Sequence, residues 1–211
     1  MAYVVGLIAT DGCLINTGRH VAFDSCDEQL ILTYLTCLGR PARYRRLRTR
    51  LGRWRYQVVF SDVAFYRWLL LQGLTQRKSL TLGAVAVPDE YLAHFARGLL
   101  DGDGTISNFT HAPTRSTYPG YVYERLWVFF TSASKAHVEW LKARVDDSYG
   151  LTGYIERRPP RPPSKEYFRL KYGKRDSIVL LRALYPSESV PKLERKWRIW
   201  DDYVRRHDIA R

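Results

Sequence analysis

Val4-Val5-Gly6-Leu7-Ile8-Ala9-Thr10-Asp11-Gly12 and Ala96-Arg97-Gly98-Leu99-Leu100-Asp101-Gly102-Asp103-Gly104 are two copies of one nine-residue string. Each has glycine at its third position, an apolar pair after it, and Asp-Gly at its last two. The terminal aspartates, Asp11 and Asp103, are 92 residues apart, the size of one small α/β unit. The chain therefore reads as a duplicated fold with one acid at matching places in each half. Two equivalent acids at a pseudo-twofold axis would form a metal site suited to cutting both strands of a duplex.

The duplication extends outward from the two strings. Phe23-Asp24-Ser25-Cys26-Asp27 opens an apolar helix with Ile31 and Tyr34, and Phe130-Thr131-Ser132-Ala133-Ser134 opens another with Val138 and Leu141. Asp27 and Ser134, 107 residues apart, are residue types that cap helix N-termini. Trp54 to Phe60 predicts a strand before a helix from Val63 to Leu71. Glu166 to Tyr172 predicts its counterpart before a helix from Ser177 to Leu184, at an offset of 111 or 112. Arg77-Lys78-Ser79 matches Arg195-Lys196-Trp197 at 118. Offsets that only grow are the mark of an old duplication with loop insertions. The largest step falls between Gly104 and Phe130, so the second copy has a longer first hairpin. Two repeats are too few for a solenoid.

Each half then reads helix, strand, strand, helix, strand, strand, helix: an α+β fold. The expected units are an N-terminal half over 1–83, a linker over 84–88 and a C-terminal half over 89–211. In the first half, strands Cys13 to Asn16 and His20 to Asp24 flank a Thr17-Gly18 turn. Ala42 to Arg50 and Arg53 to Ser61 flank a Leu51-Gly52 turn. Pro88 is placed at the start of the second motif helix, a favoured position for proline.

The chain carries 34 Lys and Arg against 21 Asp and Glu, a net charge of +13 that favours a polyanionic partner. With 45% hydrophobic residues it is globular and not disordered. Alternation places the charge. Trp54, Tyr56, Val58 and Phe60 share one strand face; Arg53, Arg55 and Gln57 share the other. Phe168, Leu170 and Tyr172 likewise alternate with Tyr167, Arg169 and Lys171. The preceding strand adds Arg43, Arg45, Arg46, Arg48 and Arg50 to the basic face, and a proline-bounded loop with Arg157, Arg158 and Arg161 is expected to reach outward along the polyanion. Arginine and glutamine suit purine edges in the major groove, and lysine suits phosphates.

Cys13, Cys26 and Cys37 are odd in number and lack Cys-x-x-Cys spacing, so they are expected to be reduced thiols of an intracellular protein. The working compartment would be cytoplasm or nucleoid in a prokaryote, or an organelle in a eukaryote. Scattered histidines argue against zinc. No apolar run is long enough for a membrane span, and Asp11 interrupts the N-terminal apolar run too early for a signal peptide. Asp101-Gly102-Asp103-Gly104 lacks the later ligands of an EF-hand.

On these residues the chain resembles a LAGLIDADG homing endonuclease of the monomeric, two-motif type. Gly6 and Gly98 match the internal glycine of the family motif, Asp11-Gly12 and Asp103-Gly104 match its end, and the repeat carries the resemblance across nearly the whole chain. The resemblance implies two pseudo-symmetric αββαββα halves. Their antiparallel sheets form a DNA-binding saddle, and their motif helices pack at the interface through Gly6 and Gly98. It implies Asp11 and Asp103 as catalytic metal ligands, with the Gly12 and Gly104 carbonyls beside them. The cofactor would be Mg2+, with Mn2+ or Ca2+ able to substitute in binding. It implies a catalytic lysine just before the last helix of each half, Lys78 and Lys196, with Arg77, Arg195 and Lys192 as alternatives. Gln57, Ser25 and Ser132 would hold water nearby. The sixth motif position is Ala9 in one copy and Asp101 in the other, so Asp101 is expected to be structural. The first motif begins close to Met1, so its helix should be short.

The implied activity is a double-strand break at a long asymmetric target in double-stranded DNA, made by an intron-encoded monomer. Alternatives on the same scaffold are an RNA maturase that assists group I intron splicing, and a DNA-binding protein without cleavage. Retention of both acids favours the nuclease.

Overall fold

The computed structural model describes residues 1–111, 123–160 and 166–209. The first half runs α1 (Ala2–Asp11), β1 (Gly12–Leu14), β2 (His20–Ser25), α2 (Glu28–Cys37), β3 (Arg45–Arg48), β4 (Trp54–Ser61) and α3 (Val63–Leu71), and ends in a 3-10 turn at Lys78–Leu80. Residues 83–88 carry no regular structure. A 3-10 turn at Asp89–Tyr91, preceded by Pro88, leads into α4 (Leu92–Asp101). The second half continues through β5 (Thr105–His111), β6 (Tyr123–Ser132), α5 (Lys135–Tyr149), β7 (Tyr154–Arg158), β8 (Tyr167–Tyr172), α6 (Lys174–Leu184) and α7 (Glu194–His207). The two antiparallel sheets have the same order, β1-β2-β4-β3 and β5-β6-β8-β7. Equal strand order in two sheets of one chain is what a duplicated unit gives, and the architecture is the α+β fold that the repeat predicts.

The strand expectations are long at loop ends. β3 is four residues and not nine, because the chain turns at Pro41 and again at Thr49–Gly52, where Gly52 has φ +75°. Helix α6 starts three residues before Ser177. The Ser177 hydroxyl lies inside that first turn, accepting from Val128 N–H and donating to the Tyr172 carbonyl. The second half also has one helix more than the pattern shows. At the matching place the first half has only the Lys78–Leu80 turn, because Gly83 and Pro88 follow closely and end regular structure. The expected outward hairpin of the second half is formed by β5 and β6. Its tip, 112–122, and Arg161 lie outside the described residues.

Helices α1 and α4 pack against each other along their length and join the two halves. Both are ten residues long, so the first is no shorter than its partner. Their crossing depends on two glycines. A methyl group on Gly6 would stand 2.3 Å from the Phe95 carbonyl oxygen, and one on Gly98 would stand 2.3 Å from that of Tyr3. The two Cα atoms face each other with no room for a side chain. Gly12 and Gly104 matter for a different reason. Gly12 is extended (φ −86°, ψ 160°), and neither residue has positive φ, so neither is a left-handed helix stop. A side chain there would strike the preceding helical turn, 2.6 Å from the Cα of Ile8 or Leu100.

Asp101 bolts the halves together. It is 1% exposed, and its carboxylate accepts from Tyr3 Oη (2.8 Å), Tyr185 Oη (3.1 Å) and Leu193 N–H (2.8 Å). Tyr3 belongs to the other half, where the matching position, Ala9, has no polar group. Arg97, fully buried, lies 5.5 Å from the Tyr3 ring and donates to the carbonyls of Leu184 and Pro191. Burial raises the Asp101 pKa, and these hydrogen bonds together with the charge of Lys196 pull it back. Asp101→Ala strands two buried hydroxyls and an amide and removes a negative charge near Arg97. It is expected to lower unfolding stability by roughly 3–5 kcal/mol in urea titration, with Asp101→Asn losing less.

Candidate active site and nucleic-acid interface

Asp11 is the last residue of α1, and Asp103 lies in the turn between α4 and β5. The pairing of α1 with α4 brings the two acids together at the head of both sheets. Burial pushes the Asp11 pKa up to about 7, the charge of Asp103 adds to the rise, and Lys196 and Lys78 oppose it. Asp103 is raised too, chiefly by loss of water around its carboxyl. The residue as a whole stays open to solvent, so a phosphate can reach it. Among the described residues, no group of three or more His, Cys, Asp or Glu forms a self-contained metal site.

The two lysines are buried, each 5% exposed, and serve matched places. Lys78 Nζ donates to the Gly12 carbonyl (2.5 Å). Lys196 Nζ donates to the carbonyls of Leu100, Asp101 and Gly102, each at 2.8 Å. These are the orphan carbonyls at the ends of α1 and α4, where a cation also complements the helix dipole. An ammonium has three donors, so Lys196 has spent all of its own. Its effect on the acids is through charge, and burial in turn pulls its pKa down to about 8. Neither lysine precedes a helix as expected. Lys78 starts a 3-10 turn, and Lys196 is in the first turn of α7. Lys192 lies apart, donating to the Glu188 carbonyl over the Trp197 ring.

Each lysine segment is clamped by the opposite half. Gln29 on α2 donates to the Lys192 carbonyl (2.9 Å) and accepts from Glu194 N–H (3.0 Å), while Asp27 pairs with Arg195 (3.0 Å). On the other side, Ser134 Oγ donates to the Leu82 carbonyl (2.5 Å), and His137 Nδ1 bonds that of Gly83 (2.8 Å). Asp27 is thus at the N-cap position of α2, but its carboxylate is used across the interface and makes no capping bond. Ser134 does cap α5, through His137 N–H. Ser25 and Ser132 each accept from the amide two residues on, and Gln57 donates to Asp24, so these three polar groups brace the loops beside the acids.

Register decides which cations share the open face. Arg45 pairs with Gln57 and Leu47 with Arg55, so Arg45, Arg55 and Gln57 lie on one face with Asp24. Arg46 and Arg48 pair with Tyr56 and Trp54 and lie on the opposite face, where Arg46 stacks 3.9 Å over the Trp54 ring. The sequence expectation that all five arginines from Arg43 to Arg50 share one face is therefore corrected. A strand places only alternate residues together, and the period-two rule already implied it. Arg43, Arg50 and Arg53 are exposed in the flanking turns. In the second half Tyr167, Arg169 and Lys171 do share the open face, as expected, and Arg158 joins them opposite Tyr167. Arg157 pairs with Phe168 on the helix side and bonds Glu166.

Among the described residues, the buried guanidinium Nε donors of Arg125, Arg158 and Arg169 have no hydrogen-bond partner, and all three residues are on this open face. No described helix is long and apolar enough to cross a membrane.

No protein-family model matches the chain, and no curated protein sequence matches it. Solved structures do. I-DmoI, determined in complex with DNA and Ca, is 18% identical with a TM-score of 0.58, over 95% of this chain and 96% of that one. The homing endonuclease I-WcaI, bound to its DNA recognition sequence, is 14% identical with a TM-score of 0.57, over 92% and 83%. Full-length DUF199/WhiA from Thermatoga maritima is 14% identical with a TM-score of 0.55, over 96% of this chain and 59% of that one. At these identities the likeness is one of fold: the architecture is that of LAGLIDADG homing endonucleases and of the WhiA LAGLIDADG domain.

Proposed function

We propose that this LAGLIDADG fold is a site-specific DNA endonuclease. It makes a double-strand break at a long asymmetric target by metal-dependent hydrolysis, as an intron-homing enzyme acting in a reducing compartment. The observation that carries the reading is the pairing of Asp11 and Asp103 at the ends of two apposed helices, each at the head of a sheet whose open face carries basic side chains. One chain supplies both acids, both lysines and both sheets, so a monomer suffices. The halves present different side chains, so the target has no reason to be a palindrome.

Two hard carboxylates, both raised in pKa by burial and Asp11 also by the charge of Asp103, fit a divalent cation such as Mg2+, with the remaining oxygens supplied by phosphate and water. Such an ion stabilises phosphate charge and lowers the pKa of water. The Gly104 carbonyl remains a candidate ligand. The Gly12 carbonyl accepts the Lys78 ammonium, so a second cation at that oxygen would be repelled, and Gly12 is the weaker choice. In hydrolysis water adds to phosphorus in line with the departing oxygen and gives up a proton to solvent, the P–O bond to the departing oxygen breaks, and that oxygen takes a proton from solvent. The chain's part is to hold the acids, keep them charged through Lys78 and Lys196, and fix the duplex register with surface arginines.

Incubation with genomic or randomised plasmid DNA and Mg2+ tests the reading. Double-strand breaks at one long site, lost in Asp11→Asn, support it. Binding of DNA without breaks in Mg2+ or Mn2+ overturns it. Lys196→Met is a second test. It leaves three helix-end carbonyls without their donor and is expected to destabilise the fold by roughly 2–4 kcal/mol. It also removes a positive charge that lowers the pKa of both acids. Fewer of them are then ionised at a given pH, and the rising limb of the pH–rate profile moves to higher pH. A destabilised but otherwise unaffected site would leave that limb where it is.

A further inference from the structure

The open faces of the two sheets differ in chemistry. The first half offers Arg45, with Arg55 (3.5 Å) and Gln57 (2.9 Å) sharing one carboxylate, Asp24, and, among the described residues, only the aliphatic Leu47 and Val59 as exposed large apolar groups beside them. The second is built around aromatic rings: Phe109 meets Trp127 edge to face at 5.0 Å, and Trp127 meets Phe129 at 5.9 Å. Register places all three on the same face as Arg169 and Lys171, and a cleft there is lined by Thr105, Ser107, Trp127, Phe129, Tyr167 and Arg169. β5 begins two residues after Asp103, so this face leads directly away from the candidate centre.

The cations of this face are already engaged. Glu156 pairs with Arg169 (2.6 Å), Arg158 (2.7 Å) and Lys171 (3.5 Å). Lys171 Nζ also stands 3.7 Å over the Trp127 ring, and Arg169 lies 4.7 Å over Phe129. A guanidinium with its terminal nitrogen held by Glu156 is not presented as the two-pronged fork that reads guanine. Arg158 and Arg169 each spend a terminal nitrogen on Glu156, and their Nε groups are buried, so what this face presents beside them is its apolar surface. An exposed apolar group complements the C5-methyl on the major-groove edge of thymine. Cytosine offers a donor there and no methyl. Its natural acceptor, Glu156, is taken by three cations.

Building on the nuclease reading, we infer that the C-terminal half reads its half-site through thymine methyl groups packed on Trp127 and Phe109, with Phe129 buried beneath them, whereas the N-terminal half reads mainly by hydrogen bonds from Arg45, Arg55 and Gln57. The target then has one side rich in required thymines.

The test uses the whole protein and a duplex selected from a randomised library. Each thymine is replaced singly, then in groups, by deoxyuridine, which removes the methyl and keeps every hydrogen bond. Burial of one methyl is worth about fourfold in affinity, so a half-site with two or more contacts should lose tenfold or more on one side of the cut. Trp127→Gln should abolish this sensitivity on that side, while Arg55→Ala leaves it intact. The wild-type measurement needs no variant and so does not depend on Trp127→Gln folding. Deoxyuridine effects below twofold on both sides, or equal effects on the two sides, overturn the inference even where DNA is bound and cut. Preference for RNA over the duplex overturns it as well. If no DNA site is selected at all, the failure is that of the nuclease reading itself.

Discussion

Asp11→Asn is expected to reduce double-strand cleavage by roughly three orders of magnitude or more, and Asp103→Asn to do the same, while duplex affinity in Ca2+ falls far less. The two acids sit at one junction, and each feels the charges of Lys78 and Lys196. Removing one therefore alters the electrostatics of the whole centre as well as its own half. The same substitution should make the metal-free protein more stable, which separates a functional acid from a structural one. The folded Asp11 pKa is about 7, well above its usual carboxylate value, because burial and Asp103 disfavour its charge. Above pH 7 the wild-type acid is ionised in both folded and unfolded chains, and the fold bears the full penalty. As pH falls from 7 toward 4 the folded state takes up the proton first, and the penalty fades. The gain from Asn is thus largest above pH 7 and disappears below 4. Added Mg2+ should reverse the order, since only the wild type gains binding free energy from the ion. Thermal melts at pH 8 and pH 4.5, with and without Mg2+, measure all of this. A loss of metal-free stability in the Asn variant at pH 8 would assign Asp11 to the scaffold.

Gly98→Ala is the second large effect. On propensity alone alanine should stabilise a helix interior by up to about 1 kcal/mol. Here its Cβ would lie 2.3 Å from the Tyr3 carbonyl oxygen and 3.0 Å from both Gly6 Cα and Leu7 N. These are backbone atoms and cannot rotate away, so α1 and α4 must separate along their length. Overpacking of this kind, together with loosening of the Tyr3–Asp101 bond, is expected to lower stability by more than roughly 3 kcal/mol. It should also reduce cleavage beyond the loss of folded protein, because the two acids move apart. Gly6→Ala should match it by the pseudo-symmetry of the crossing. Gly83→Ala is the control: nothing lies within 4 Å of its added methyl, and its φ is not positive. Its stability should change by less than about 0.5 kcal/mol. Denaturant unfolding of the four proteins decides whether the helix crossing sets the limit.

Much of the site was legible from the chain. The two strings, their glycines and their terminal acids are each spelled by consecutive residues. So are the helix from Val63 to Leu71 and the alternation of Tyr167, Arg169 and Lys171 with Phe168, Leu170 and Tyr172. The five arginines between Arg43 and Arg50 were misplaced as a group although the signal was present: alternation divides Arg45 from Arg46 and Arg48. Asp27 was a different case. Its position at a helix start was readable, but its carboxylate goes to Arg195, 168 residues away, and no local pattern reports that.

The sequence by itself determined the duplication, the succession of helices and strands in each half, the pair of matched acids and the positive charge of the chain. These depend on periods of two and about four residues and on recurrence, which a linear string preserves. Only the tertiary structure decided what the buried polar groups do. Lys196 gives its three protons to the end of α4, Asp101 closes the interface on Tyr3 and Tyr185, and Gln29 and His137 each hold the other half's lysine segment. All of these bonds but one, that of His137, span more than 80 residues. They exist because two small-residue helices cross closely enough to bring both halves within hydrogen-bonding reach. Burial then requires each donor and acceptor there to find a partner, and which partner it finds is set by that packing, not by spacing along the chain.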